Sequence, residues 1–210
     1  MPAPAANRDD TLALIRHHAF RLFGTFGFDG VSVGQLATAT KLSKGALYWH
    51  FKGKEALYID CLRALHGIFD DHVFEPVREQ AEPIQRLLTF FHGAAELVQD
   101  PRLADGVAGY WLFSSRTVDA EIRAVQEEFE RRNAALMRET LQKAVEQGAL
   151  DLRDDLDDMA RAMISILEAI VLPLRSQSTD EVHRTLGVLA RTLMRAYTNN
   201  PALVELFRDV

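Results

Sequence analysis

Apolar residues recur every three or four positions along almost the whole 210-residue chain, and nowhere do they alternate at period two over a strand's length. That spacing restricts the chain to an all-α fold. In the first helix, about 8–26, Leu12, Ile15, Ala19, Leu22, Phe23 and Phe26 share one face, Gly27 suits the C-cap, and F-G-F-D-G-V-S is a turn. Ser32 opens S-V-G-Q, a capping-box spacing with Gln35, ahead of a short helix that turns Val33, Leu36 and Ala37 inward. Thr40-Lys41-Leu42 is a tight turn, and Ser43 caps a third short helix over 44–50. One longer helix followed by two short ones across a tight turn is the helix-turn-helix arrangement. A long amphipathic helix follows over 54–74, stopped or bent by Pro76. Further helices are expected at 84–99, 101–115, 119–147, 154–174 and 179–198, giving about nine, with a short tail helix at 202–208.

Charge divides the chain. Residues 1–54 hold seven Lys/Arg against three acids, a net +4, and the remainder holds 17 against 27, a net −10. A basic head on an acidic body fits a nucleic-acid-binding head, although ordinary scatter of solvated charge produces such differences too. The single cysteine, Cys61, excludes an intrachain disulfide and a Cys-rich zinc site, so a reduced, cytoplasmic protein is expected. The start, M-P-A-P-A-A-N-R-D-D-T-L-A-L, lacks the pattern of a secretory signal. No run approaches the roughly 18 apolar residues of a membrane span, so no membrane partner is expected.

The segment K-L-S-K-G-A-L-Y-W-H-F-K-G-K-E-A-L, residues 41–57, concentrates aromatic side chains among lysines. On a helical wheel Leu47 and Phe51 face inward, toward Leu36, Leu42 and the first helix. Lys44, Gly45, Tyr48 and Trp49 are left outside, with His50 and Lys54 at the margin. Gly45 and Ala46 are small enough for a helix N-terminus to enter the major groove closely. Lys44 can donate to guanine acceptors and aromatic edges can meet thymine methyls. The Tyr48 hydroxyl, His50 and Lys54 can reach phosphate oxygens. The plainer reading of the same residues is half-buried aromatics beside solvating lysines.

Residues 19–57, A-F-R-L-F-G-T-F-G-F-D-G-V-S-V-G-Q-L-A-T-A-T-K-L-S-K-G-A-L-Y-W-H-F-K-G-K-E-A-L, resemble the DNA-binding domain of the tetracycline-repressor (TetR) family, the L-Y-W-H segment most of all. The resemblance implies a helix-turn-helix domain over 1–54 and a helical ligand-binding and dimerisation domain over 55–210. It implies backbone contacts at Ser32 and Val33. Base or phosphate contacts are implied at Lys44, Gly45, Ala46, Tyr48 and Trp49, a further DNA-facing position at His50, and a phosphate clamp at Lys54. Two positions depart from the family pattern. Lys41 stands where glycine is common, and a left-handed lysine there costs roughly 1 kcal/mol. Gly34 stands where the tetracycline repressor has a base-reading arginine, so a different operator is expected.

The body carries no comparable motif. The helix expected at 154–174 is apolar almost all round, as an extra partner or a central core position requires. With 179–198 it is the expected dimer bundle, through Met163, Leu167, Ile170, Leu186, Leu189, Leu193 and Tyr197. A two-fold homodimer presents two recognition helices about 34 Å apart to a palindromic operator of double-stranded DNA. The aromatic cluster at His66, Phe69, Phe90, Phe91, Tyr110, Trp111 and Phe113 is the expected pocket for a largely apolar small-molecule effector. Binding there would release the operator by linkage.

Enzyme chemistry finds little support. Asp180-Glu-Val-His183 occurs once, without the second pair a di-iron site needs. His17 and His18 point apart, and Asp151-x-Arg-x-Asp155-x-Asp157 lacks the calcium-loop glycine. Cys61 has no base beside it in sequence, and no glycine-rich phosphate loop appears. The sequence therefore reads as a ligand-responsive transcriptional regulator, a repressor, with no metal and no cofactor. The competing reading is a helical dimer that binds a partner or small molecule without DNA.

Overall fold

A computed structural model describes residues 8–104, 106–111, 120–208 and 210. Among them every regular element is helical. The α-helices are α1 (Arg8–Phe26), α2 (Val33–Thr40), α3 (Lys44–His50), α4 (Lys54–Phe69), α5 (Glu75–Glu79), α6 (Pro83–Gln99), α7 (Ala120–Glu146), α8 (Leu156–Leu174), α9 (Thr179–Tyr197) and α10 (Pro201–Glu205). No described helix is long and apolar enough to cross a membrane.

The chain divides into two compact units. The first comprises residues 8–65 with the described parts of 105–126, and the second comprises 66–104 with 127–210. The cuts fall inside α4 and α7, whereas the sequence reading drew its boundary at position 54.

In the first unit Ile15, Ala19 and Phe23 bury one face of α1. Phe26, expected on that face, is instead 55% exposed, and Gly27 ends the helix at φ 70°. The Tyr58 ring of α4 is fully buried, with edge-on partners Phe23 and Phe28 at centroid distances of 5.0 and 5.2 Å. The expected helix at 101–115 does not form in its described part. Two short 3-10 turns stand there, Pro101–Leu103 and Ala108–Tyr110. Gly106 at φ 109° breaks the helical path between them. The second turn lies directly on α1, where a Cβ on Gly109 would stand 2.1 Å from the Phe23 carbonyl oxygen.

In the second unit α6 is the central helix, with Leu87, Leu88, Phe90, Phe91, Ala94, Ala95 and Leu97 all buried. The segment Asp70–Phe74, between α4 and α5, is a π-helical turn. Pro76 explains it, since proline has no N–H for the His72 carbonyl four residues back and its ring would strike that carbonyl in an α-helix. The wider turn separates them, and Gly93 of α6 fits closely over the His72 carbonyl. The turn is pinned by its charges. Asp70 pairs with Arg132 of α7, Asp71 with Arg102, and His72 Nε2 lies 2.7 Å from Asp100 Oδ2. Burial pushes the Asp100 carboxyl up, but hydrogen bonds with Arg102 and His72 outweigh it and hold the group at about 2.

Candidate nucleic-acid interface

The local chemistry of α2 and α3 follows from short-range hydrogen bonds. Ser32 Oγ accepts from the Gln35 N–H at 3.2 Å, and Gln35 Oε1 accepts from the Ser32 N–H at 2.8 Å, so the expected capping box closes. Lys41 ends α2 in the left-handed conformation, φ 57° and ψ 28°, and the Leu42 N–H reaches the Ala37 carbonyl at 3.1 Å. Ser43 Oγ accepts from the Ala46 N–H at 3.1 Å and starts α3. Leu47 and Leu36 are buried. With both anchored, α3 has one orientation, and the opposite side of its wheel faces out.

That outer side carries the expected residues. Tyr48 is 55% exposed and Trp49 is 65% exposed, unusual values for large aromatic side chains. Ser32, Lys44 and Gly45 are exposed, and Val33, Ala46 and His50 are half-buried. A Cβ on Gly45 would meet nothing closer than Ser43 Oγ at 3.8 Å, so the first turn of α3 is open to close approach. A Cβ on Gly34 would stand 3.9 Å from Lys44 Cε, which brings α2 beside the Lys44 side chain and leaves room there.

Two interactions modify the expected site. Arg8, at the start of α1, places its guanidinium 4.7 Å from the centre of the Trp49 indole, while His50 meets that ring edge-on at 4.9 Å. The exposed indole is thereby held on two sides, and a cation joins the surface. Sequence reasoning missed Arg8, since nothing local ties it to a residue so far along the chain. Lys54 has partners within the protein as well. Its ammonium donates to the Phe28 carbonyl at 2.9 Å and lies 4.0 Å from the Phe28 ring centre. The carbonyl takes one of its three N–H donors, so in the free chain Lys54 anchors the turn after α1.

The expected effector-pocket residues fall in both units. Tyr110 belongs to the first unit, 5.5 Å from Tyr58 and 5.4 Å from Phe20, and its hydroxyl donates to the Phe20 carbonyl at 3.1 Å. Trp111 follows it, half-buried, and Phe113 lies outside the described residues. Burial pushes the Tyr58 and Tyr110 phenols well up and the Cys61 thiol to about 12, so this cysteine is unreactive near neutrality. His66 and Phe69 belong to the second unit, where His66 stacks on Phe129 at 4.0 Å and Phe69 meets the same ring edge-on. Phe90 is buried in α6. Phe91 lines a groove of about 380 Å³ between α6, α7, α8 and α9.

The expected dimer residues also divide. Leu167 and Leu186 are 1% and 0% exposed inside a single chain, so they serve the chain's own core. Met163, Leu193 and Tyr197 line the groove. Ile170 and Leu189 are half-exposed. Of the outer tracks the sequence reading named only Ile170, Leu189 and Leu193 for the interface. Positions 162, 165, 166, 169, 170 and 173 of α8, and 185, 188, 189, 192, 193 and 196 of α9, are exposed or half-exposed and all uncharged. Their spacing of three and four was visible in the sequence, hidden by attention to larger apolar residues.

Among the described residues no group of His, Cys, Asp and Glu is arranged to hold a metal ion. The capped α2–turn–α3 unit on the bed of α1 and α4, with exposed aromatics and lysine on α3, has the form of a helix-turn-helix domain. Residues 15–61 match the family described as bacterial regulatory proteins, tetR family. Forty residues are 45% identical to the HTH-type transcriptional regulator AcrR of Shigella flexneri, a stretch spanning 19% of either chain. Similarity to solved structures extends much further. A TetR transcriptional regulator from Chloroflexus aurantiacus J-10-FL matches with a TM-score of 0.72 and 19% identity, covering 89% of this chain and 96% of that one. AibR, solved with isovaleryl coenzyme A and operator DNA, matches at 0.69 and 23%, covering 85% and 97%.

Proposed function

We propose that the protein is a homodimeric, ligand-responsive repressor that binds a palindromic operator through α3. The observation that carries this reading is the outer face of α3, where Lys44 and Tyr48 flank the open Gly45 and an arginine-stacked Trp49 stands beside them. A protein with no nucleic-acid partner gains nothing by exposing two large aromatics among lysines. Lys44 reads a guanine edge or meets a phosphate. Tyr48 and Trp49 contact thymine methyls or sugars, and the Ser32 end of α2 sits on the backbone. Arg8 joins this set.

Dimerisation supports the same reading. The uncharged outer tracks of α8 and α9, with Val188 exposed at their centre, supply a self-complementary face for a four-helix bundle. Two heads on one dimer then address half-sites one helical turn apart. An apolar effector binding the second unit favours a dimer with a different head separation, and operator affinity falls by linkage. AibR, solved with isovaleryl coenzyme A and operator DNA, has the same fold and binds both kinds of partner.

The test is a gel shift on the DNA upstream of the protein's own gene across a salt series, with Lys44→Ala and Tyr48→Ala alongside. Specific binding that weakens steeply with salt and is lost in both variants supports the repressor. Wild-type binding no stronger than that of the variants at low salt removes this operator, and a genome-wide capture of bound DNA that recovers no enriched site removes the reading.

A further inference from the structure

We propose that Arg8 is a DNA-phosphate contact and that Trp49 is the residue that positions it. The proposal rests on the operator-binding reading and deepens it, by adding the start of α1 to an interface built otherwise from α2 and α3. The Arg8 guanidinium lies over the Trp49 indole, 4.7 Å from the ring centre, and His50 meets the same ring edge-on at 4.9 Å. Arg8 opens α1 and Trp49 lies near the end of α3, so folding of the head brings them together.

Three observations lead from that contact to a phosphate. Arg8 is exposed and has no carboxylate or carbonyl partner among the described residues, although Asp9 and Asp10 follow it. Arg16 of the same helix, by contrast, commits its fork to Asp60 in two hydrogen bonds of 2.8 Å. A guanidinium that lies against an aromatic ring by its face keeps its in-plane N–H donors free, and that planar fork suits a phosphate. The platform itself is open, since Trp49 is 65% exposed and carries Arg8 on the outer side of α3. The same exposure leaves Trp49 surface for its own contacts with the DNA. The position along α3 is the third observation. Gly45 and Trp49 are four residues apart and share a face, with the open first turn at Gly45. A recognition helix meets base edges with its first residues. An α-helix with its side chains is about 10–12 Å across and the major groove about 12 Å wide, so a cation held beside the second turn stands at the groove wall, where the phosphates run. Arg8 supplies the charge. Trp49 restricts a long side chain that otherwise samples many rotamers, which lowers the entropy lost on binding.

The experiment is fluorescence anisotropy of the full-length protein with two labelled duplexes, the DNA upstream of its own gene and a mixed-sequence duplex of the same length, from about 0.05 to 1 M salt. A phosphate contact is blind to sequence. Arg8→Ala should therefore lower the slope of log affinity against log salt by about one on both duplexes, with binding about eightfold weaker near 0.1 M salt and equal to wild type near 1 M. Arg8→Gln, which keeps the length and loses the charge, should behave in the same way. Trp49→Leu should lower the slope too, and Trp49→Phe should restore it. Arg8→Ala should have at least threefold less effect in the Trp49→Leu background. Both side chains are exposed, so all variants should melt with the wild type. An unchanged slope in Arg8→Ala on both duplexes overturns the proposal, and a wild-type preference for the upstream DNA then leaves the repressor reading in place. A slope lowered on the upstream duplex alone, with altered base preference, makes Arg8 a base reader and overturns it as well. Equal effects of Arg8→Ala with and without Trp49→Leu overturn the positioning by Trp49. A lower slope on both duplexes, with no site enriched in a genome-wide capture, keeps the contact and ends the repressor. A wild type that binds neither duplex at the lowest salt overturns both.

Discussion

The Lys54 ammonium donates to the Phe28 carbonyl at 2.9 Å while lying 4.0 Å from the centre of the Phe28 ring. The first residue of α4 thus fastens the turn that sets α1 against α2. Lys54→Met should cost about 1–2 kcal/mol of stability, the scale of a hydrogen bond to a charged group. Thermal denaturation should show a fall in Tm of several degrees, and operator affinity below Tm should fall less than in Lys44→Ala. An unchanged Tm with lost DNA binding would instead make Lys54 a phosphate contact.

Lys44→Ala should weaken operator binding at least tenfold, since a good side-chain–base pair is worth roughly 1–3 kcal/mol. The salt series distinguishes its role. A slope of log affinity against log salt that drops by about one means that Lys44 meets a phosphate, whereas an unchanged slope with relaxed preference at one base pair means that it reads guanine.

Lys41 adopts φ 57° at the end of α2, a conformation that favours glycine. Lys41→Gly should raise stability by about 0.5–1 kcal/mol, the relief of strain exceeding the entropy that glycine adds to the unfolded chain. Urea denaturation should show a higher midpoint with an unchanged m-value. A lower midpoint would mean that the turn carries no strain at this lysine.

Asp100 is held down to about 2 against an ordinary carboxylate value near 4. Its folded-state value is depressed, so its contribution is present above the unfolded value and is lost as pH falls from about 4 to 2. The size is roughly 2 kcal/mol. Wild type and Asp100→Asn should therefore differ most above pH 4, and their stabilities should converge toward pH 2 in denaturation series.

Val188 is exposed at the centre of the uncharged α9 track. Val188→Glu should leave the fold intact and convert a dimer to monomers in sedimentation, with operator affinity falling with it. A chain that is monomeric before the substitution would remove the proposed dimer.

The parts of the site that the sequence displayed are those closed over three or four residues. Ser32 with Gln35, Ser43 with Ala46, and Lys41 at a helix end depend on neighbours in the chain, so spacing alone places them. The parts it concealed depend on residues brought together by packing. Arg8 meets Trp49 and Lys54 meets Phe28 only once α1 is folded against the turn and α3. The helix expected at 101–115 had adequate periodicity, but Gly106 and Gly109 commit that stretch to a close backbone approach to α1. In α8 and α9 the large apolar residues drew attention to themselves, yet Leu167 and Leu186 are consumed by the chain's own core. The outward tracks mix alanine, serine and threonine with as many larger residues, a pattern with low contrast in a sequence.

Gly34 leaves an unfilled space beside Lys44 in which a Cβ meets only ordinary van der Waals neighbours. A longer side chain can be introduced there without reshaping α2. For the proposed repressor the position is a socket for altering target preference, and a panel of substitutions at this one codon is expected to yield sensors that share an effector response but address different promoters.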